Sequence, residues 1–174
     1  MQTIIARIRQ EKADKVRAMP SSELIDQSQT LTSARRREIL DKVASLVDEN
    51  LCGRSEMCLQ FADLLYRALL HLNIPARPAP GDAIYFDSSG RELFRWQHAW
   101  VRIGDEVVDG NVDSIVENPV VPAAVRVRPY WGAVRTIPSD RRLREQQGAR
   151  LEPDDDVLNI WWPELRVWLD LDGR

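Results

Sequence analysis

The sequence predicts an α+β fold, with helices packed on a small antiparallel sheet. Three observations lead there. Apolar residues follow a helical period as far as residue 71. Strand-like alternation takes over from about residue 83. The length of 174 residues suits one domain with a short appendage.

The first helix is expected over residues 2–18, where Ile5, Ile8 and Val16 sit among Arg, Lys and Glu. Met19-Pro20-Ser21-Ser22 interrupts it. A second helix is expected from Thr32 or Ser33, because Ile39, Leu40, Val43, Leu46 and Val47 recur at the helical period. Arg35, Arg36 and Arg37 read as its solvated face. The third helix, about Met57 to His71, carries the broadest apolar face: Phe61, Leu64, Leu65, Ala68, Leu69 and Leu72. Ser55 suits its N-cap, Asn73 a left-handed residue after its end, and Pro75 blocks continuation. His71, at the helix end, reads as a capping cation. These boundaries predict an N-terminal helical extension over 1–48 and a main domain over 49–174.

Strands are expected at Ala83–Phe86, His98–Ile103 and Glu106–Asp109, the last two joined by a tight Gly104-Asp105 turn. Further short strands are expected within 120–137, around Val125, Val127 and Ile137. Residues 139–149, rich in Arg and Gln, read as an exposed helix, and Glu152–Asp156 as an acidic loop. The tail, with Ile160-Trp161-Trp162 and Val167-Trp168-Leu169, is apolar enough to pack back onto the body.

Composition removes several classes of function. Lys plus Arg number 24 against 27 Asp plus Glu, a formal charge of −3, which exerts no global pull toward nucleic acid or anionic membranes. No apolar run reaches the roughly 18 residues of a membrane span, and the N-terminus breaks into charge too early for a secretory signal. Two cysteines, Cys52 and Cys58, cannot make a disulfide framework. A reducing, cytoplasmic setting is therefore expected.

Cysteine catalysis needs a thiol that ionises, a base that takes its proton, and a group that orients the base. Cys58 falls in the first turn of the third helix, where exposed N–H groups and the helix dipole favour a thiolate. The same residue also suits a small buried core position. A two-residue turn at Gly104-Asp105 pairs Ile103 with Glu106, Arg102 with Val107 and Trp100 with Asp109, and sets His98 opposite Asn111. Opposed residues share a face, as do residues two apart. His98, Trp100, Asp109 and Asn111 then project from one side, with Asp109 diagonal to His98. Asn111 is the fallback orienter and Asp113 a third choice. A one-residue slip would place Asp109 on the opposite face.

Four segments, in order, resemble the transglutaminase-like superfamily: Cys58-Leu59-Gln60-Phe61-Ala62, Asn73-Ile74-Pro75-Ala76-Arg77, His98-Ala99-Trp100-Val101 and Val108-Asp109. The resemblance covers roughly residues 50–115. It implies a papain-like core with Cys58 as nucleophile, His98 as base and acid, and Asp109 as orienter. It also implies an acyl-enzyme route shared by proteases, amidases, deamidating effectors and acyltransferases, on a peptide or protein substrate with no cofactor. Two departures stand out. Glu56 replaces the glycine usual two residues before the cysteine, and Cys52 stands about where papain-type enzymes place an oxyanion-binding glutamine. The backbone N–H of Cys58 is one candidate oxyanion donor. A second, from Gln97 or an upstream amide, stays open.

Trp96, Gln97, Trp100 and Trp131 are expected around a substrate cleft beside His98, with Pro129–Gly132 on the same wall. A zinc site from Cys52, Cys58, His71 and His98 lacks ligand spacing, and Asp154–Asp156 read as solvated rather than as a cation site. The expected function is a cysteine-dependent hydrolase of an amide bond. The alternatives are an inactive peptide-binding module and an acyltransferase or deamidase effector.

Overall fold

The computed structural model describes residues 19–51, 54 and 56–172. The expected helix over 2–18 and the expected cap Ser55 lie outside these, as does Cys52. Among the described residues three α-helices, α1 (Ser33–Leu51), α2 (Cys58–His71) and α3 (Trp162–Asp172), accompany six strands. The strands are β1 (Ile25–Asp26), β2 (Arg77–Phe86), β3 (Glu92–Ile103), β4 (Glu106–Asp109), β5 (Tyr130–Ala133) and β6 (Arg141–Glu145), in the order β1-β5-β4-β3-β2-β6. The fold is α+β, as expected, but the sheet is larger than expected and mixed, because β1 runs parallel to β5.

Helical periodicity explains the helix layer. Ile39, Leu40, Val43, Leu46 and Val47 of α1 share one core with Phe61, Leu64, Leu65 and Leu69 of α2. The expected boundary at residues 48 and 49 falls inside α1. Each leucine buried there contributes roughly 1.5–3 kcal/mol. Ala99, Val101 and Ile103 of β3 and Val108 of β4 close the core from the sheet side. The Trp-rich tail packs back through Trp161, Leu165 and Leu169. His71 anchors it, its Nε2 lying 2.7 Å from Asp170 Oδ1 and its ring edge-on to Trp162. Asn73 adopts φ 60° after α2, as its side chain suits.

The hairpin pairs Val101 with Val108, Arg102 with Val107 and Ile103 with Glu106, with Gly104 at φ 53°. Strand β2 starts earlier than expected despite Pro78 and Pro80. Both prolines lie where β2 pairs on β3 alone, since pairing with β6 begins at Gly81.

Three further expectations are corrected. Residues 139–149 hold no helix: Arg141–Glu145 form β6, because the free edge of β2 satisfies their backbone and outweighs the helix preference of Arg and Gln. Within 120–137 the strand is Tyr130–Ala133, while Val125 and Val127 fill a cluster with Tyr85 and Ile115 from a loop. Arg36 is not on a solvated face. It is buried, with Nε 2.8 Å from Asp26 Oδ1 and Nη1 donating to the carbonyls of Thr30 and Leu31. The acidic loop has a structural member, since Asp154 Oδ1 accepts from the backbone N–H of Asp156 and Val157. Among the described residues no helix is long and apolar enough to cross a membrane.

Candidate active site

Cys58 is the first residue of α2 and a free, partly exposed thiol. The N-cap position is Met57, two residues later than expected, and no side-chain cap bond occupies this helix end. The loop before it is held by a buried cation. Arg54 donates from Nη1 to Asn111 Oδ1 at 3.1 Å, and grips Asp113 through Nη1 and Nη2 at 2.9 and 2.7 Å. Asn111 Nδ2 returns a bond to the Arg54 carbonyl at 2.9 Å. Asn111 and Asp113, the reserve orienters of His98, therefore serve the nucleophile loop instead.

His98 and Asp109 meet as the strand arithmetic requires. The register seen at Val101–Val108 extends to bring Asp109 diagonal to His98. His98 Nε2 lies 2.7 Å from Asp109 Oδ1, with both side chains buried. Nδ1, also buried, has no hydrogen-bond partner among the described residues. Cys58 and His98 line the same groove, and the thiol and the imidazole interact electrostatically there. Burial works against charge on both groups of this pair. The Asp109 carboxylate nevertheless pushes His98 up to about 10. Burial likewise raises the thiol, but the imidazolium and the backbone N–H groups of Ala99 and Leu59 outweigh it and hold Cys58 below its ordinary range. The arrangement favours a thiolate–imidazolium pair.

Asp109 has a second partner that the sequence reading missed. Arg141 Nη1 donates to Asp109 Oδ2 at 2.8 Å, and both side chains are wholly buried. Arg141 also reaches the Arg128 carbonyl at 2.6 Å and Asp140 Oδ1 at 2.9 Å. In a flat sheet, three strand spacings of about 4.8 Å would hold β6 and β4 some 14 Å apart. One arginine bridges them because the sheet curls. Burial costs the Asp109 carboxylate, but His98 and Arg141 hold it below the usual carboxylate range. Reading 139–145 as a strand would have put Arg141 and Leu143 on one face and exposed this signal. No local pattern marks Arg54.

A groove of about 530 Å³ opens at Cys58 and His98. Trp96 and the exposed Gln97 line it, with Leu59, Pro80 and Val120. Trp100 and Trp131 do not, contrary to expectation. Trp100 is packed with Ala79, Val107 and Tyr130, its ring centroid 6.1 Å from that of His98. Trp131 is fully buried in the helix-side core. Pleating turns Trp131, paired with Val108, to the helix side, whereas Trp100 shares the His98 face but fills a packed position there, and Trp96, nearer the strand start, reaches the rim. Behind the pair is a small void lined by Tyr85 and Trp96. Burial pushes the Tyr85 phenol far up, so it stays neutral. Among the described residues no group of three or more His, Cys, Asp or Glu converges as a metal site. Comparison of the chain with protein-family models, curated proteins and solved structures finds no match.

Proposed function

We propose that this chain is a cysteine-dependent hydrolase of amide bonds on a transglutaminase-like, papain-like core, working in the cytoplasm on a peptide or protein. The observation that carries the reading is the buried His98–Asp109 pair, 2.7 Å apart, at the groove that Cys58 lines from the first position of α2. Cys58 Sγ attacks the amide carbonyl carbon, and the carbonyl π pair moves onto oxygen. The N–H groups at the start of α2 stabilise that oxyanion. As it collapses, the C–N bond breaks, and His98 Nδ1 gives its proton to the departing amine. A thioester on Cys58 remains. Water then attacks it, with His98 Nδ1 taking the water's proton, and the acid and thiolate are released. Asp109 keeps Nε2 engaged throughout, so that Nδ1 always faces the sulfur. Hydrolysis is preferred over acyl transfer because it needs no second-substrate site.

The test is an electrophilic thiol probe applied to the native chain, Cys58→Ala and His98→Ala. Labelling vanishes in the first variant and collapses in the second, while circular dichroism stays native. Equal labelling of Cys52 and Cys58 would instead favour a catalytically inactive peptide-binding module.

A further inference from the structure

The groove beside Cys58 has a charge that the proposed reaction does not use. Apart from the Cys58–His98 pair, Glu56 carries the only formal charge among the described residues lining it. Glu56 is exposed, two residues before the nucleophile. It is nevertheless held in place. Asn118 Nδ2 donates to Glu56 Oε1 at 2.9 Å, while Asn118 Oδ1 accepts from the Val120 N–H at 3.1 Å. Asn118 is itself buried, and its backbone N–H donates to the Ile115 carbonyl at 3.1 Å. One asparagine thus fixes both Glu56 and Val120 along the same rim. Glu56 Oε2 has no hydrogen-bond partner among the described residues.

The apolar part of the groove is equally defined. Leu59 and Val120 are 48% and 68% exposed and lie on the groove walls with Trp96 and Pro80. A second hollow, about 300 Å³, adjoins the first through Leu59, Pro80 and Gln146. It contains Asp63, Glu152 and Asp154 against one cation, Arg150. Arg67 neutralises Asp63 at 2.8 Å. The remaining balance along the trench, with Glu56, is negative.

Resting on the reading of Cys58 as nucleophile, we propose that this groove takes a cationic peptide segment. A lysine or arginine side chain is received at Glu56, next to the amide that Cys58 attacks, and apolar neighbours lie on Leu59 and Val120. The carboxylate attracts the cation across a partly desolvated groove and repels an acidic residue at the same place.

The experiment compares two thiol reagents of opposite charge, trimethylammonium-ethyl and sulfonatoethyl methanethiosulfonate. They are applied to the full chain carrying Cys52→Ser, and each rate is divided by its rate with free cysteine. The corrected ratio favours the cation about tenfold. It falls severalfold in Glu56→Gln and inverts in Glu56→Lys. In a second arm, a Leu-Lys-Leu peptide protects Cys58 from iodoacetamide at a lower concentration than Leu-Glu-Leu, and Glu56→Lys reverses the order. A corrected ratio near one, or one that neither variant moves, overturns the inference. Neutral iodoacetamide reports separately on the underlying reading. Slow alkylation of Cys58 removes the nucleophile, whereas fast alkylation with an unmoved charge ratio removes only the cationic substrate.

Discussion

His98 Nε2 and Asp109 Oδ1 lie 2.7 Å apart in a setting closed to solvent, and Arg141 holds the other oxygen of the same carboxylate at 2.8 Å. Asp109 is therefore both the orienter of an imidazole and the counter-ion of a buried guanidinium.

That double duty changes the expected outcome of Asp109→Ala. On sequence grounds the variant should slow turnover and leave folding nearly intact. With Arg141 left uncompensated it also destabilises the chain, by about 3–5 kcal/mol. Urea unfolding measures the loss; a change under about 1 kcal/mol would mean that Arg141 finds another partner or water.

The same pair sets a pH dependence of stability. Asp109 is held below the carboxylate range, so its contribution is present above an unfolded pKa of about 3.9 and is lost as pH falls through the lower folded value. His98 is raised, so its contribution is complete below about 6.5. It is lost as pH climbs through its folded value of about 10. The stability gap between the native chain and Asp109→Asn is then widest from about pH 4 to 6.5 and narrows on both sides. Chemical denaturation across pH 3–10 checks the shape, and a gap that does not vary would refute the ion pair.

Reactivity of the thiol follows the opposite limb. The thiolate is the reacting form, and Cys58 is held below its ordinary range. Its iodoacetamide rate in a Cys52→Ser background reaches half-maximum below the free-thiol value of about 8.5. His98→Ala removes the neighbouring imidazolium and moves that midpoint up by about one unit or more. An unmoved midpoint would assign the ionisation to the helix end alone.

Arg54 ties the nucleophile loop to Asn111 and Asp113. Arg54→Ala leaves the largely buried Asp113 carboxylate without this cation and costs about 3 kcal/mol. It should also slow Cys58 alkylation, because the loop no longer presents α2 to the sheet. Stability loss with full reactivity would show that the loop is held by other means.

The two tryptophans beside His98 separate by burial. Trp96→Ala opens the groove and weakens peptide protection of Cys58 with little change in stability. Trp100→Ala empties a filled position and costs about 3–5 kcal/mol. Thermal denaturation of both variants makes the comparison.

Much of this site is legible in the chain because its parts are local. Cys58 is readable as a helix start from the apolar face behind it, and the facing of His98 and Asp109 follows from one tight turn and the period of two. Arg141 and Arg54 were not readable, for the same reason that Arg36 was not. An arginine in a polar stretch looks solvated until a distant carboxylate buries it. Trp100 and Trp131 misled in the opposite sense: Trp131 lies on the helix side of the sheet, and Trp100, on the same face as His98, is packed against Ala79, Val107 and Tyr130 rather than along the groove.

The sequence by itself determined helices α1 and α2, the β3–β4 hairpin with its register and so the facing of His98 and Asp109, because periodicity and turn chemistry act over a few residues. Only the tertiary structure decided that β6 exists, that the sheet curls far enough for Arg141 to reach Asp109, and that Glu56 lies on the groove rim. Those depend on pairing between segments tens of residues apart, where the satisfaction of backbone groups and buried charge outweighs local preference.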